Sequence, residues 1–180
     1  MKIIIELLIV LIVVIGIILF LLYKVLNNKY NVIDIKVSKS EKKLLKAQKD
    51  KYNLLLKAID ILNDNKKFDE NQYHSFLNLK LDNISLNELN DILIETDNNI
   101  EEYLSQNEKI INSKNFKDLY NDINKINVTI NATRKYYNEN AKEFNKFLNK
   151  LPTSIFAKIK RLKEKDILKD NRDKQLKILN

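Results

Sequence analysis

Residues 116–151 read FKDLYNDINKINVTINATRKYYNENAKEFNKFLNKL. Phe116, Leu119, Ile123, Ile126, Ile130, Thr133, Tyr137, Asn140, Phe144, Phe147 and Leu151 fall at steps that alternate between three and four along its whole length. That period places them on one stripe of an α-helix, and about 35 residues would make a helix of roughly 50 Å. Pro152 ends the run, because it has no N–H to donate and its ring clashes with the preceding turn. Thr153 and Ser154 then stand where a following helix would take its cap.

Upstream, Ser85-Leu-Asn-Glu88 has the spacing of a capping box, and Leu86, Leu89, Leu93, Thr96, Ile100, Tyr103, Asn107 and Ile110 carry the same alternation. Asn112-Ser-Lys-Asn115 breaks it. Ser38-Lys-Ser-Glu41 reads as an earlier helix start, with Leu45, Tyr52, Leu55, Ile59 and Leu62 as its stripe, Gln48 as a polar lapse and Asn63-Asp64-Asn65 as its stop. A short helix is expected over residues 68–81, where Phe68, Tyr73, Phe76, Leu77, Leu79 and Leu81 gather. Stripes of period 3.5 pack helices side by side at shallow angles, and short connections make neighbours antiparallel. The expected fold is all-α: an antiparallel up-and-down four-helix bundle with long helices, preferred over an extended coiled coil because the pattern breaks at 63–68, 82–85 and 112–115.

The bundle follows a membrane anchor. From Ile3 to Leu22 the residues are Ile, Leu, Val and Phe apart from Glu6 and Gly16. About 20 such residues span the hydrocarbon thickness as a helix, and Tyr23 and Lys24 suit the interface at its far end. A cleaved signal peptide would have a shorter apolar core and a small-residue cleavage site, which Lys24-Val25-Leu26-Asn27 does not supply. Lys2 precedes the span alone, whereas Lys24, Lys29, Lys36 and Lys39 follow it, so the positive-inside rule puts the C-terminal domain in the cytoplasm and the short N-terminus outside. The expected organisation is 1–29 anchor (span 3–23) and juxtamembrane segment, 30–152 bundle, 153–180 basic tail.

Composition removes several functions. No Cys excludes disulfides, thiol catalysis and lipidated-Cys anchors, and one Gly leaves no material for a phosphate-cradling loop. His74 is the sole histidine, so a zinc site lacks ligands, and Asn71 three positions earlier rules out the Glu-x-x-His of di-iron bundles. No Ser stands in a nucleophile elbow. No catalytic, cofactor or metal residue is therefore expected. The net charge of +8 arises from Lys scattered among Asp and Glu, which favours an anionic membrane surface over nucleic acid.

Asn makes up about one residue in seven, as an AT-rich genome would produce. Asn124, Asn131, Asn138 and Asn145 nonetheless recur every seven residues beside the stripe of the last long helix. Two readings fit: a polar ladder bonding a neighbouring helix or partner, or a solvated flank.

After Pro152, Ile155, Phe156, Ile159 and Leu162 make an apolar face among Lys158, Lys160, Arg161, Lys163 and Lys165. This is either an amphipathic segment for an anionic membrane surface, through Lys158, Lys160, Arg161 and Lys163, or a fifth short helix packed on the bundle. An even number of antiparallel helices would return the tail to the membrane. The stretch from 169 to 180 is polar and expected to fray.

Asn115-Phe116, Leu119, Ile130, Arg134, Tyr137-Asn138, Phe144-Asn145, Leu151-Pro152 and Ala157 carry a resemblance to the LemA family of bacterial membrane proteins. They match that family's Arg-x-x-Tyr-Asn, its second aromatic-Asn seven residues later and its aromatic-Pro after seven more. Tyr30-Asn31 likewise follows the span as a Tyr-Asn pair does in the family. Lys49-Asp-Lys-Tyr-Asn-Leu54 keeps only pieces of the family's first bundle helix, and Asn107-Glu108 and Lys160-Arg161 replace its Tyr-Pro and Gly-Phe. The resemblance implies a four-helix bundle on the inner side of a bacterial membrane, with Arg134, Tyr137, Asn138, Phe144, Asn145 and Pro152 as signature and interaction positions, and no catalytic site. The functional expectation is a non-catalytic membrane scaffold or regulator, with the lipid bilayer and an unidentified protein as partners. An enzyme or metal-dependent factor with an unrecognised site in the bundle is the alternative.

Overall fold

The computed structural model describes residues 2–64, 68–82, 84–111 and 113–169. Asn65, Asn112 and the tail from 170 to 180, to which expectations were attached above, lie outside that set. All regular elements among the described residues are helical: α1 (Lys2–Asn63), a 3-10 turn (Glu70–Tyr73), α2 (His74–Leu77), α3 (Leu86–Ser105), α4 (Glu108–Ile111), α5 (Lys114–Asn149) and α6 (Thr153–Ile159).

The all-helical class and the long N-terminal apolar helix are as expected, but α1 does not restart at Ser38. It runs unbroken for 62 residues, and Ser40 is buried within it. The cause is visible in the chain: no Gly or Pro interrupts 17–63, and the buried positions Ile33, Val37, Ser40, Leu44, Gln48, Leu55, Ile59 and Leu62 continue one stripe. A capping box needs a residue in extended conformation at its head, and the propagating helix outcompetes it here. At Ser85 the same motif does start a helix, with Glu88 N–H donating to Ser85 Oγ at 3.1 Å.

The chain divides into two compact units. Unit 1 comprises Met1–Lys39 and Glu139–Asp166; unit 2 comprises Ser40–Asn138 and the described part of Ile167–Asn180. In unit 1, Ile33, Val37, Ala141, Phe144, Phe147 and Phe156 are buried, while the side chains of residues 3–23 are all exposed. Tyr30 is the hub of its aromatic cluster, with ring centroids 6.2 Å from Phe144, 6.4 Å from Phe147 and 6.1 Å from Phe156. Burial first, and the nearby Asp34 carboxylate second, push the Tyr30 phenol above its ordinary pKa.

The core of unit 2 is built on Leu55, Ile59, Leu62, Phe76, Leu89 and Phe116. Only α1, α3 and α5 are long among the described residues, so the expected bundle of four long helices is not seen, and an irregular leg joins α1 to α3. That leg packs Phe68 against Tyr103 (5.1 Å) and Phe76 against Tyr52 (4.7 Å), and α3 then begins where Gln48 Nε2 donates to Leu86 O at 3.2 Å. The leg thus returns along α1, and α3 runs in the same direction as α1. Asp69 caps the 3-10 turn by accepting from Asn71 N–H at 3.0 Å. Asn78 N–H and Asn78 Nδ2 both donate to His74 O, closing α2 after one turn. The apolar residues of 68–81 lack helical periodicity, which is why a single helix does not form there.

Asn107 Nδ2 donates to Tyr103 O at 2.8 Å, where the expected stripe to Ile110 is interrupted and α4 follows as a single turn. At the end of α5, Thr153 opens α6 and also closes α5. Its hydroxyl lies within hydrogen-bond reach of the Phe147 and Lys150 carbonyls, two of the acceptors that a helix terminus leaves free.

Candidate functional site

Asn145 and Asn138 do what a β-strand edge does. Asn145 Nδ2 donates to Lys165 O at 2.8 Å, while Lys165 N–H donates to Asn145 Oδ1 at 2.8 Å. Asn138 repeats the pair with Leu168, at 2.8 Å to the carbonyl and 2.9 Å from the N–H. Each side-chain amide therefore holds both polar groups of one residue in the non-helical segment that follows α6. A primary amide is the only common side-chain group offering a donor and an acceptor side by side, so Asp or Ser could not replace these residues. Leu168 is buried and Lys165 half-buried, so the clamped segment packs as well as bonds.

The other two positions of the seven-residue pattern serve different ends. Asn131 Oδ1 accepts from Arg134 Nη2 at 3.1 Å. Asn124 hydrogen-bonds Tyr120, and this contact offsets part of the rise in the Tyr120 pKa that burial and then the Glu101 and Asp97 carboxylates cause. The polar-ladder reading thus describes Asn138 and Asn145, but the bonded partner is the chain's own tail rather than a neighbouring helix.

A second polar constellation lies inside unit 2. Lys51 Nζ meets Asp97 Oδ2 at 2.5 Å, with side chains only 5% and 4% exposed. Asn127 Nδ2 also donates to Asp97 Oδ2, at 3.1 Å. These groups border a cavity of about 80 Å³ that Gln48, Asn90, Asn131 and Arg134 also line. Gln48 Oε1 is buried without a hydrogen-bond partner among the described residues. The cavity is large enough for a few waters, and its polar walls would hold them. Burial, and then the Asp97 charge, raise the Glu101 pKa, with Lys51 opposing. Sequence reading recorded Gln48 only as a lapse and missed Lys51 and Asp97, because a charge at a core position resembles one on the surface until its partner is located.

The signature residues divide between the units. Arg134, Tyr137 and Asn138 belong to unit 2, where Arg134 and Tyr137 are buried. Phe144, Asn145 and Pro152 belong to unit 1; Phe144 packs on Tyr30, and Pro152 stands at the N-cap of α6. Of the tail cations, Lys158, Arg161 and Lys163 are exposed. Lys160 is half-buried and turns inward: its Nζ donates to Asn27 Oδ1 at 2.6 Å and lies 5.2 Å from the Tyr30 ring centre and 5.1 Å from that of Phe156. It braces α6 on α1 instead of joining the outward cations. Phe156 and Leu162, in the apolar face expected either to meet the membrane or to pack on the bundle, are buried and half-buried respectively. No group of His, Asp and Glu able to hold a metal ion occurs among the described residues.

An all-helical chain with one long apolar N-terminal helix and an asparagine-clamped tail is the class these features define. The sequence model of the LemA family matches residues 95–178, so this part of the chain is similar to that family. The matched stretch contains Asn138, Asn145 and both main-chain positions they hold. No curated protein and no solved structure matches the chain.

Proposed function

We propose that this protein is a single-span, membrane-tethered, non-catalytic scaffold or regulator whose helical domain lies on the cytoplasmic side and binds other proteins. The observation that carries this reading is the continuity of α1. One helix bears an apolar run with every side chain exposed over 3–22, and then, without a break, the buried stripe of the helical domain. Such a run is left without cover by the protein's own residues, and a bilayer would cover it. The excess of Lys after the span supports the cytoplasmic placement.

Lys51, Asp97 and Asn127 are engaged with one another, and Asn138 and Asn145 with the tail, in a pattern that serves architecture. Exposed apolar side chains such as Val128 and Tyr136 on α5 offer surface for a partner. Photo-crosslinking residues placed at 128 and 136 of the full chain in native membranes test the reading. Discrete protein adducts are expected, lost from a probe at 128 when Tyr136→Glu is added and from a probe at 136 when Val128→Glu is added. Adducts to lipid alone, or none, would remove the scaffold role.

A further inference from the structure

α6 leaves an apolar row uncovered at one particular height on α1. Leu151, Ile155 and Ile159 follow one another at intervals of four, on one face of α6 and the turn before it, and are 78%, 56% and 71% exposed. The opposite face is fixed: the Phe156 ring lies 5.6 Å from Tyr23, and Lys160 Nζ donates to Asn27 Oδ1 at 2.6 Å. Tyr23 closes the apolar run, and Asn27 is one turn beyond it. α6 is therefore held within about 6–10 Å of the point where the span leaves the hydrocarbon, the depth occupied by lipid headgroups. Lys158, Arg161 and Lys163 stand exposed around the row, with Lys24 and Lys29 exposed on α1 nearby in sequence.

We propose that Leu151, Ile155 and Ile159 insert into the anionic interface of the leaflet from which α1 emerges, with Lys158, Arg161 and Lys163 on the lipid headgroups. Three apolar side chains in a row at headgroup depth, rimmed by cations, match an interfacial helix face and its preference for anionic lipid. The inference rests on the membrane-tethered reading and deepens it. The protein would grip one leaflet twice, through the span and through α6, with Lys160 as the strut between them.

The absence of Cys makes single-cysteine reporters unambiguous. Full-length chains carrying Leu151→Cys, Ile155→Cys, Ile159→Cys, Ile12→Cys or His74→Cys are labelled with an environment-sensitive fluorophore. They are reconstituted in phosphatidylcholine vesicles with or without phosphatidylglycerol, and nitroxide-labelled acyl chains serve as the quencher. Labels at 12, 151, 155 and 159 are expected to be quenched from the lipid, and the label at 74 is not. Changing Lys158, Arg161 and Lys163 to Glu is expected to abolish quenching at 155 and 159 in the anionic vesicles while leaving 12 unchanged. Quenching at 12 with none at 151, 155 and 159 overturns the inference and leaves the anchor standing. No quenching at 12 overturns both.

Discussion

Removing the Asp97 carboxylate is expected to be among the most damaging single changes in unit 2. The Lys51 ammonium lies 2.5 Å from Asp97 Oδ2, and both side chains are about 95% covered. Asp97→Ala leaves that ammonium buried without its direct counter-charge, a situation that costs about 3–5 kcal/mol in protein interiors. The adjoining cavity of about 80 Å³ lets water approach the stranded charge, which puts the expected loss near the lower end, about 3 kcal/mol. Lys51→Met strands the carboxylate instead, but Asn127 Nδ2 still donates to it at 3.1 Å, so a smaller loss of about 2 kcal/mol is expected. Replacing both, Lys51→Met with Asp97→Ala, removes two charges that had been taken out of water and is expected to be close to neutral. The double variant should then be more stable than the sum of the singles by about 5 kcal/mol. Urea unfolding of the full chain in detergent micelles, followed by circular dichroism and by hydrogen exchange over Leu86–Ser105, measures all four corners of the cycle. Single losses below about 1 kcal/mol that simply add would mean the pair behaves as a surface ion pair, and would refute its burial.

Three further outcomes follow from the geometry. Asn138→Ala removes two hydrogen bonds to Leu168, and Asn145→Ala two to Lys165. Each is expected to cost about 1–2 kcal/mol and to abolish exchange protection of the clamped amide, while Asp at either position fails to restore it because the donor is lost. Tyr73 has its phenol pKa pushed up to about 12, by burial first and then by Glu102 and Tyr103. The folded state therefore keeps a proton that the unfolded state gives up from about pH 10. Stability should fall between pH 10 and 12, by roughly 1 kcal/mol at pH 11, and Tyr73→Phe should flatten that part of the pH–stability curve. Arg161 has φ of 53° and sits where Arg161 N–H donates to Lys158 O and Leu162 N–H to Ala157 O, the paired bonds of a helix end that favours glycine. Arg161→Gly is expected to raise stability by about 0.5–1 kcal/mol in thermal unfolding, provided its cation is not needed for packing.

How far the fold could be read depended on whether a signal was local or relational. The α5 stripe and its end at Pro152 were legible, because a strict three-four alternation and a missing N–H act through the neighbouring turn alone. The Ser85 start was legible for the same reason. The Ser38 start was misread: a capping box competes with the helix passing through it, and only the buried stripe from Ile33 onward decides that contest. The return leg after α1 could not be read as two short turns from Phe68, Tyr73 and Phe76, since their burial is settled by Tyr52 and Tyr103 across the unit. The heptad of Asn was visible as a pattern. That Asn138 and Asn145 address the main chain at Leu168 and Lys165 was not, because nothing in the tail sequence marks residues held by their backbone. Lys160 counted as one more tail cation until Asn27 and Tyr30 appeared beside it.

The central claim is that residues 3–23 remain in the chain as a membrane span continuous with the helical domain. It is tested most directly by the intact mass of the protein recovered from cell membranes after alkaline carbonate washing. The account predicts a chain retained in the membrane pellet whose mass still includes residues 3–23. A shortened chain that lacks the apolar run and is released to the soluble fraction would contradict it, and would make the run a removed signal sequence.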